Sequence, residues 1–316
     1  MYMLDLLLKF GIGVVVLLLS TQTFVKLAKN ISLAFRISPL IVGITIVALG
    51  TSLPELSVSL IALIKNDAGL AFGNIIGSNI INVLVVLPIG IVIGKLRIGK
   101  TKTQRGALLL LGTTAVFVLL QLQSFSALVS GLFLVASALI ITIVEYHWAV
   151  LGRNHEDLAR FHNHKREHFT FRGFLSLLFS LAGIIIGGVL LVASVEGISI
   201  ATGYSTTILG LSLTAIATSL PELLTTIFSQ EEDQEKITVG NIIGSNIYNL
   251  LFVGGLLTIF SSIVTMPLKD WVWLIATTLC FVYILRRYSG KVVPKWVGVL
   301  LLALSCMYLL TLKMSI

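Results

Sequence analysis

Glu55 and Glu222 each stand in the middle of a long apolar run, inside the same six letters, TSLPEL, at 51–56 and 218–223. A charge at the centre of a hydrocarbon layer costs roughly 2.5–3.5 kcal/mol on insertion scales. Neither apolar run holds a Lys or Arg that could offset it. The missing positive charge is therefore expected to be a bound cation; the bland alternative, a protonated and hydrogen-bonded Glu, would have to arise twice.

Pro54 and Pro221 immediately precede the two glutamates. A proline within a helix removes one backbone hydrogen bond and clashes with the preceding turn, so the helices are expected to break here. The break offers carbonyls near Ala48, Gly50 and Thr51 in one run and near Ala215, Ala217 and Thr218 in the other. Irregular backbone at membrane depth is tolerated only where protein buries it or a hydrated cavity receives it. Thr51 lies four residues before Glu55 and Ser52 three before it, as Thr218 and Ser219 do for Glu222, which places each set on one helix face. On the following segments Asn74, Ser78 and Asn82 form a stripe at four-residue spacing, matched by Asn241, Ser245 and Asn249. Gly73, Gly77, Gly240 and Gly244 permit close helix approach. The inventory is all oxygen, which suits a hard cation such as Ca²⁺ or Na⁺; Zn²⁺ or Cu would call for His or Cys, and neither motif has any.

The elements that carry these groups follow from composition. Of 316 residues, 56% are hydrophobic and 11% charged, with a mean hydropathy of +1.02. Soluble domains carry roughly 25% charged residues, so an ordinary soluble enzyme is excluded. Ten apolar segments are expected, at 10–27, 39–64, 71–94, 106–121, 127–149, 173–195, 204–229, 238–262, 270–285 and 296–312. The first is kept as a helix rather than a signal peptide, because Asp5 precedes Lys9 and no small-residue cleavage site follows. Cys280 and Cys306 fall inside apolar segments and give neither a disulfide framework nor a metal pair. The net charge of +8 reflects topology rather than nucleic-acid binding. Eighteen Lys and Arg fall in one set of loops, and four (Lys9, Lys65, Lys269 and Lys313) on the other side. The positive-inside rule then places both termini outside and the 150–172 loop in the cytoplasm of a cell (inner) membrane protein.

Residues 43–82 and 210–249 superpose without a gap: 222 − 55 and 241 − 74 both give 167. GNIIGSNI recurs letter for letter, as TSLPEL does. Five segments separate equivalent positions, an odd number, so the second copy enters the membrane from the opposite side. The expected fold is all-α: ten transmembrane helices as two inverted-topology five-helix repeats, 1–150 and 173–316, joined by a cytoplasmic linker at 151–172, with broken helices at the ion site.

GTSLPEL with GNIIGSNIIN, and ATSLPEL with GNIIGSNIYN, resemble the alpha repeats of the sodium/calcium exchanger family in the calcium/cation antiporter superfamily, in a prokaryotic-type member. The resemblance implies Ca²⁺ and Na⁺ as transported ions, no cofactor and no obligate protein partner beyond the lipid bilayer. It makes Glu55 and Glu222 shared carboxylate ligands and Ala48 and Ala215 donors of backbone oxygen. Thr51, Ser52, Ser78, Thr218, Ser219 and Ser245 complete the Na⁺ sites, and Asn82 and Asn249 the central one. Two departures matter. Ala217 stands where the first copy has Gly50 and the family commonly has Gly, which implies a stiffer second break. Exchangers of this family often carry an acid at one of the positions held here by Asn82 and Asn249; two Glu alone balance one Ca²⁺ or two Na⁺, which sets electrogenic exchange in question.

A proton-coupled Ca²⁺ exchanger is the nearest rival, because two facing carboxylates resist joint ionisation and take up protons. A cation channel could use the same ligands, but the inverted repeat with broken helices favours alternating access. An enzyme lacks any HExxH or GxSxG motif. Glu145 and Glu196 are expected near helix ends, reaching interfacial water. Trp148, Trp271, Trp273 and Trp296 are expected to form an aromatic belt, and the EEDQE run at 231–235 to be a solvated loop.

Overall fold

The computed structural model describes residues 2–34, 47–123, 125–151, 171–201, 206–231, 235–261 and 266–313. The first half comprises α1 (Tyr2–Ala34), α2 (Ala48–Thr51), α3 (Leu53–Ile64), α4 (Ala68–Ile81), a π-helical turn π1 (Asn82–Val86), α5 (Leu87–Ile93), α6 (Thr101–Leu122) and α7 (Ala127–Leu151). The second comprises α8 (Phe171–Ile200), α9 (Thr206–Leu209), π2 (Gly210–Thr214), α10 (Ala215–Thr218), α11 (Leu220–Glu231), α12 (Glu235–Tyr248), π3 (Asn249–Val253), α13 (Gly254–Phe260), α14 (Leu268–Arg287) and α15 (Lys295–Lys313). Nine helical spans among the described residues are long and apolar enough to cross a membrane. The remaining expected segment, 39–64, appears as the shorter apolar stretch Ala48–Ile64, its 39–46 portion lying outside the described residues. This is a multi-pass, all-helical membrane protein.

The spans built from α4–α5 and α12–α13 form the centre: 83% of their most apolar window is buried, against 22% for α1, α7 and α8. The periphery turns its Leu, Ile and Phe outward, with Leu19, Phe133 and Phe179 more than half exposed, as helices facing lipid do. α1 and α8 run against each other. Their approach rests on glycine, because a Cβ on Gly187 would fall 3.0 Å from the Gly13 carbonyl oxygen and 2.9 Å from Leu17 Cβ.

Elements recur at the 167-residue offset beyond the quoted motifs. Gly131 of α7 lies against Ile259 and the Gly255 carbonyl, and Gly298 of α15 lies against Val92 and the Pro88 carbonyl; all three pairs of positions differ by 167. The turn from α3 to α4 is set by Asn66, whose φ of 61° lies in the left-handed region that Asn tolerates, and by Asp67, whose Oδ1 accepts from the Leu70 amide at 2.9 Å as an N-cap.

At one end the loops after α5 and after α14 are tied together. The Ile98 amide donates to Lys291 O, Gly290 to Ile98 O, and Val293 to Leu96 O, each at 3.0 Å. Gly290 holds a φ of 73° there, where only glycine is free of strain. The tie gathers Lys95, Arg97, Lys100 and Lys291 on one face, all members of the loop set counted as one side in the sequence.

Several expectations change. Glu145 does not reach open water: it is 3% exposed and stands beside Arg105, because this part of α7 packs on the end of α12, with the Thr142 hydroxyl 2.9 Å from the Tyr248 hydroxyl. Trp271 is 3% exposed and sits in the core against the Phe117 ring, centroids 6.1 Å apart. Trp273 donates its indole N–H to Thr311 Oγ1 at 3.1 Å, and Trp296 alone of the three is broadly exposed. The Trp148 side chain, residues 152–170 of the loop and most of the EEDQE run lie outside the described residues.

Candidate ion site at the broken helices

Both glutamates sit three residues past a break. Ser52 between α2 and α3 has φ −82° and ψ 0°, and Ser219 between α10 and α11 has φ −82° and ψ 2°. The prolines therefore occupy the first turn of a new helix, where a missing N–H costs no hydrogen bond. Glu55 and Glu222 fall in those same first turns, where the N-terminal dipole favours a carboxylate. This corrects the expectation that the Ala48 and Ala215 carbonyls are stripped of partners. Ser52 N–H donates to Ala48 O and Ser219 N–H to Ala215 O, both at 3.0 Å, and the Thr51 and Thr218 hydroxyls reach the same oxygens at 3.3 and 3.4 Å. A lone pair of each carbonyl is left for an ion where its threonine hydroxyl donates instead to the Asn of the other half.

Glu55, Glu222, Thr51, Thr218, Ser78, Ser245, Asn82 and Asn249 all have no exposed surface, and Ser52 and Ser219 are nearly as buried. The halves interlock through their polar atoms. Thr51 Oγ1 lies 3.1 Å from Asn241 Oδ1 and 3.2 Å from Ser245 Oγ. The counterpart Thr218 Oγ1 donates to Asn74 Oδ1 at 3.1 Å and lies 3.2 Å from Ser78 Oγ. Thr218 and Ser78 thus flank Glu55, while Thr51 and Ser245 flank Glu222, and the Glu222 charge acts on Glu55. The four carboxylate oxygens nonetheless have no hydrogen-bond partner, nor do the hydroxyls of Ser52 and Ser219. Buried polar oxygens are normally paired. Here four carboxylate oxygens, two on each glutamate, are buried without a partner, as are the two serine hydroxyls at the breaks.

Close approach of α4 to the second half is what brings these atoms together. A Cβ on Gly77 would lie 2.8 Å from both Ala215 Cβ and Leu211 O. Gly50 has a similar cause: its Cβ would meet Leu181 Cδ2 at 2.7 Å and the Phe24 ring at 2.8 Å. The Gly50/Ala217 difference therefore reflects how α1 and α8 crowd the first break; Ala217 packs in a cluster with Leu17 and Val58.

Asn82 and Asn249 are the first residues of π1 and π3, a local widening frequent at functional positions. Asn82 Nδ2 donates to Asn246 Oδ1 at 2.9 Å, and Asn246 Nδ2 to Asn79 O at 3.3 Å; both Asn249 side-chain atoms lack a partner. Asn79 and Asn246 stood in the letter-for-letter repeat yet off the four-residue stripe, so helical spacing alone passes over them. The π turns leave no mark in hydropathy. A further buried carboxylate, Asp270 of α14, has no exposed surface and no hydrogen-bond partner for either oxygen, and its charge is felt by Tyr308. It belongs to neither motif, and lies at the edge of its apolar segment where a charge attracts no notice. Among the described residues no three His, Cys, Asp or Glu side chains come together.

A family model described as sodium/calcium exchanger protein matches residues 6–146 and 172–314. The inner membrane protein YrbG of Escherichia coli K12 is 31% identical over 300 residues, covering 92% of this chain and 91% of its own. The sodium/calcium exchanger MaX1 of Methanosarcina acetivorans is 27% identical, covering 95% and 96%. Among solved structures, the sodium-calcium exchanger NCX_Mj soaked with Na⁺ and Sr²⁺ superposes with a TM-score of 0.77 at 25% identity, over 96% of this chain and 98% of that one.

Proposed function

Because the chain belongs to the sodium/calcium exchanger family, we propose that it is a secondary active antiporter that exchanges Ca²⁺ for Na⁺ by alternating access, with Glu55 and Glu222 as shared ligands of the central site. One observation carries this reading. Two wholly buried glutamates on broken helices from opposite halves face a shell of hydroxyl, amide and carbonyl oxygen, with none of their carboxylate oxygens hydrogen-bonded. Such a site suits a dehydrated hard cation. Thr51, Ser78, Thr218 and Ser245 are the adjoining ligands, with Ser52, Ser219 and the Ala48 and Ala215 carbonyls lining the approach and Asn82 and Asn249 closing the centre. The prolines Pro54 and Pro221 set the breaks.

In this reading 1–150 and 173–316 are inverted-topology repeats, and 151–172 is a linker between them. The matching surroundings of Gly131 and Gly298 support equivalence of the halves. The tie between the basic loops supports placing that face in the cytoplasm with both termini outside, in the cell (inner) membrane. A proton in place of Na⁺ is the second reading, favoured by the two unbonded carboxylates and by amides at 82 and 249. Uptake of ⁴⁵Ca²⁺ into proteoliposomes under imposed Na⁺ or H⁺ gradients separates the two. Flux that continues after the opposite cation is withdrawn would make the protein a channel and overturn both.

A further inference from the structure

A cleft of about 440 Å³ opens between α6 and α7, with Leu251 of π3 as its floor and Leu108, Gly112, Phe133 and Ser137 among its walls. Arg105 closes one end. The lining positions on α6 run from 105 to 116, so the cleft extends along about 16 Å of helix. Its rim faces the lipid, with Leu108 50% and Phe133 54% exposed. The equivalent positions in the second half carry larger side chains. At the 167-residue offset, Gly112 becomes Leu279, Ser137 becomes Leu304 and Ile141 becomes Tyr308, and the Tyr308 ring packs edge-on against Trp273, centroids 5.3 Å apart. A Cβ on Gly112 would meet nothing within 4 Å. The repeat thus carries bulk at these positions in one half and leaves them small at Gly112 and Ser137 in the other.

An apolar trough open to the hydrocarbon layer has lipid chains as its available filling, since water finds almost no hydrogen-bonding partners along its walls. Arg105 lies at the end of α6 that leads into the basic face formed by Lys95, Arg97 and Lys100. Glu145 stands beside the guanidinium, but five N–H donors can serve a carboxylate and a phosphate together. Basic pockets between membrane helices on the cytoplasmic side hold anionic head groups. We propose that this cleft is a binding site for one acyl chain of an anionic phospholipid, its phosphate held at Arg105 and its chain lying on Leu251 of the π turn that begins at Asn249.

The test is native mass spectrometry of the full-length protein in detergent, titrated with phosphatidylglycerol or phosphatidylcholine. The wild type is expected to take a first phosphatidylglycerol about fivefold more tightly than phosphatidylcholine, the worth of one cation near an anionic surface. Arg105→Gln should bring that ratio to about one, and Gly112→Leu, which installs the residue of the other half, should remove the first tight adduct of either lipid. Equal wild-type affinity for the two lipids, or an unchanged first adduct in Gly112→Leu, overturns the proposal. Should Gly112→Leu fail to fold, Arg105→Gln and Ser137→Leu carry the same two comparisons.

Discussion

At the scale of single residues the site is a charge problem. In the proposed site each of Glu55 and Glu222 supplies half the negative charge facing the ion, and none of their carboxylate oxygens has a hydrogen-bond partner. Glu55→Gln and Glu222→Gln keep shape and remove charge. Each is expected to reduce ⁴⁵Ca²⁺ exchange to background while leaving the detergent melting profile intact; near-normal exchange in either variant would remove the residue from the site. With amides at 82 and 249, the cluster holds two formal charges, enough for one Ca²⁺ or two monovalent ions, and a third Na⁺ would leave net positive charge in a dry setting. Charge-balanced exchange is at least as much to be expected as the electrogenic mode, read as a Ca²⁺ distribution that does not move with the membrane potential; a three-to-one Na⁺:Ca²⁺ reversal potential would refute it. Asn249→Asp puts a third carboxylate at a position whose side-chain atoms have no partner, and should move transport toward voltage dependence or toward sharper competition by protons.

At the scale of elements, the sequence made the breaks legible but not their form. The TSLPEL repeat located both discontinuities at Ser52 and Ser219, since proline has a definite backbone cost. Placing the proline inside a helix, however, overstated the loss: at the first turn of a new helix the Ala48 and Ala215 carbonyls keep their Ser52 and Ser219 partners. The stripe of Asn74, Ser78 and Asn82 was readable because helical spacing is 3.6 residues. The Asn82–Asn246–Asn79 chain of bonds joins α4 to α12, and a contact between segments so far apart in the chain has no local signature. Glu145 was misplaced for the same reason, because hydropathy gives depth along a helix and not what packs against its side. Gly77 supplies a prediction at this scale. Gly77→Ala drives a Cβ into Leu211 O and Ala215 Cβ at 2.8 Å, partly against backbone that cannot rotate away. A loss of about 1–3 kcal/mol is expected, seen as a lowered midpoint in a detergent thermal melt, with weaker Ca²⁺ protection against unfolding. Gly112→Ala, whose Cβ meets nothing, serves as the matched control and should melt as wild type does.

At the scale of the whole molecule, the loaded and empty sites differ in how readily they can be carried across the membrane. In the proposed mechanism, two facing carboxylates without a counter-charge resist enclosure and bound cations remove that cost, so interconversion would require a load in both directions. The proposed site draws no ligand from the 150–172 connection. Its replacement by a Gly/Ser linker of equal length should leave Ca²⁺ binding by isothermal titration unchanged; loss of binding from a properly inserted protein would show that the two halves do not suffice.

The crossed hydroxyl pairs, Thr51 with Asn241 and Ser245, and Thr218 with Asn74 and Ser78, carry a consequence for biogenesis. Glu55 emerges from the ribosome 167 residues ahead of Glu222, which at common elongation rates is roughly ten to thirty seconds. Throughout that interval the nascent first half holds an ionisable group in the bilayer with neither its neighbouring threonine nor its ion. During synthesis the translocon, or a proton taken from water, must shelter it until Thr218 arrives on α10.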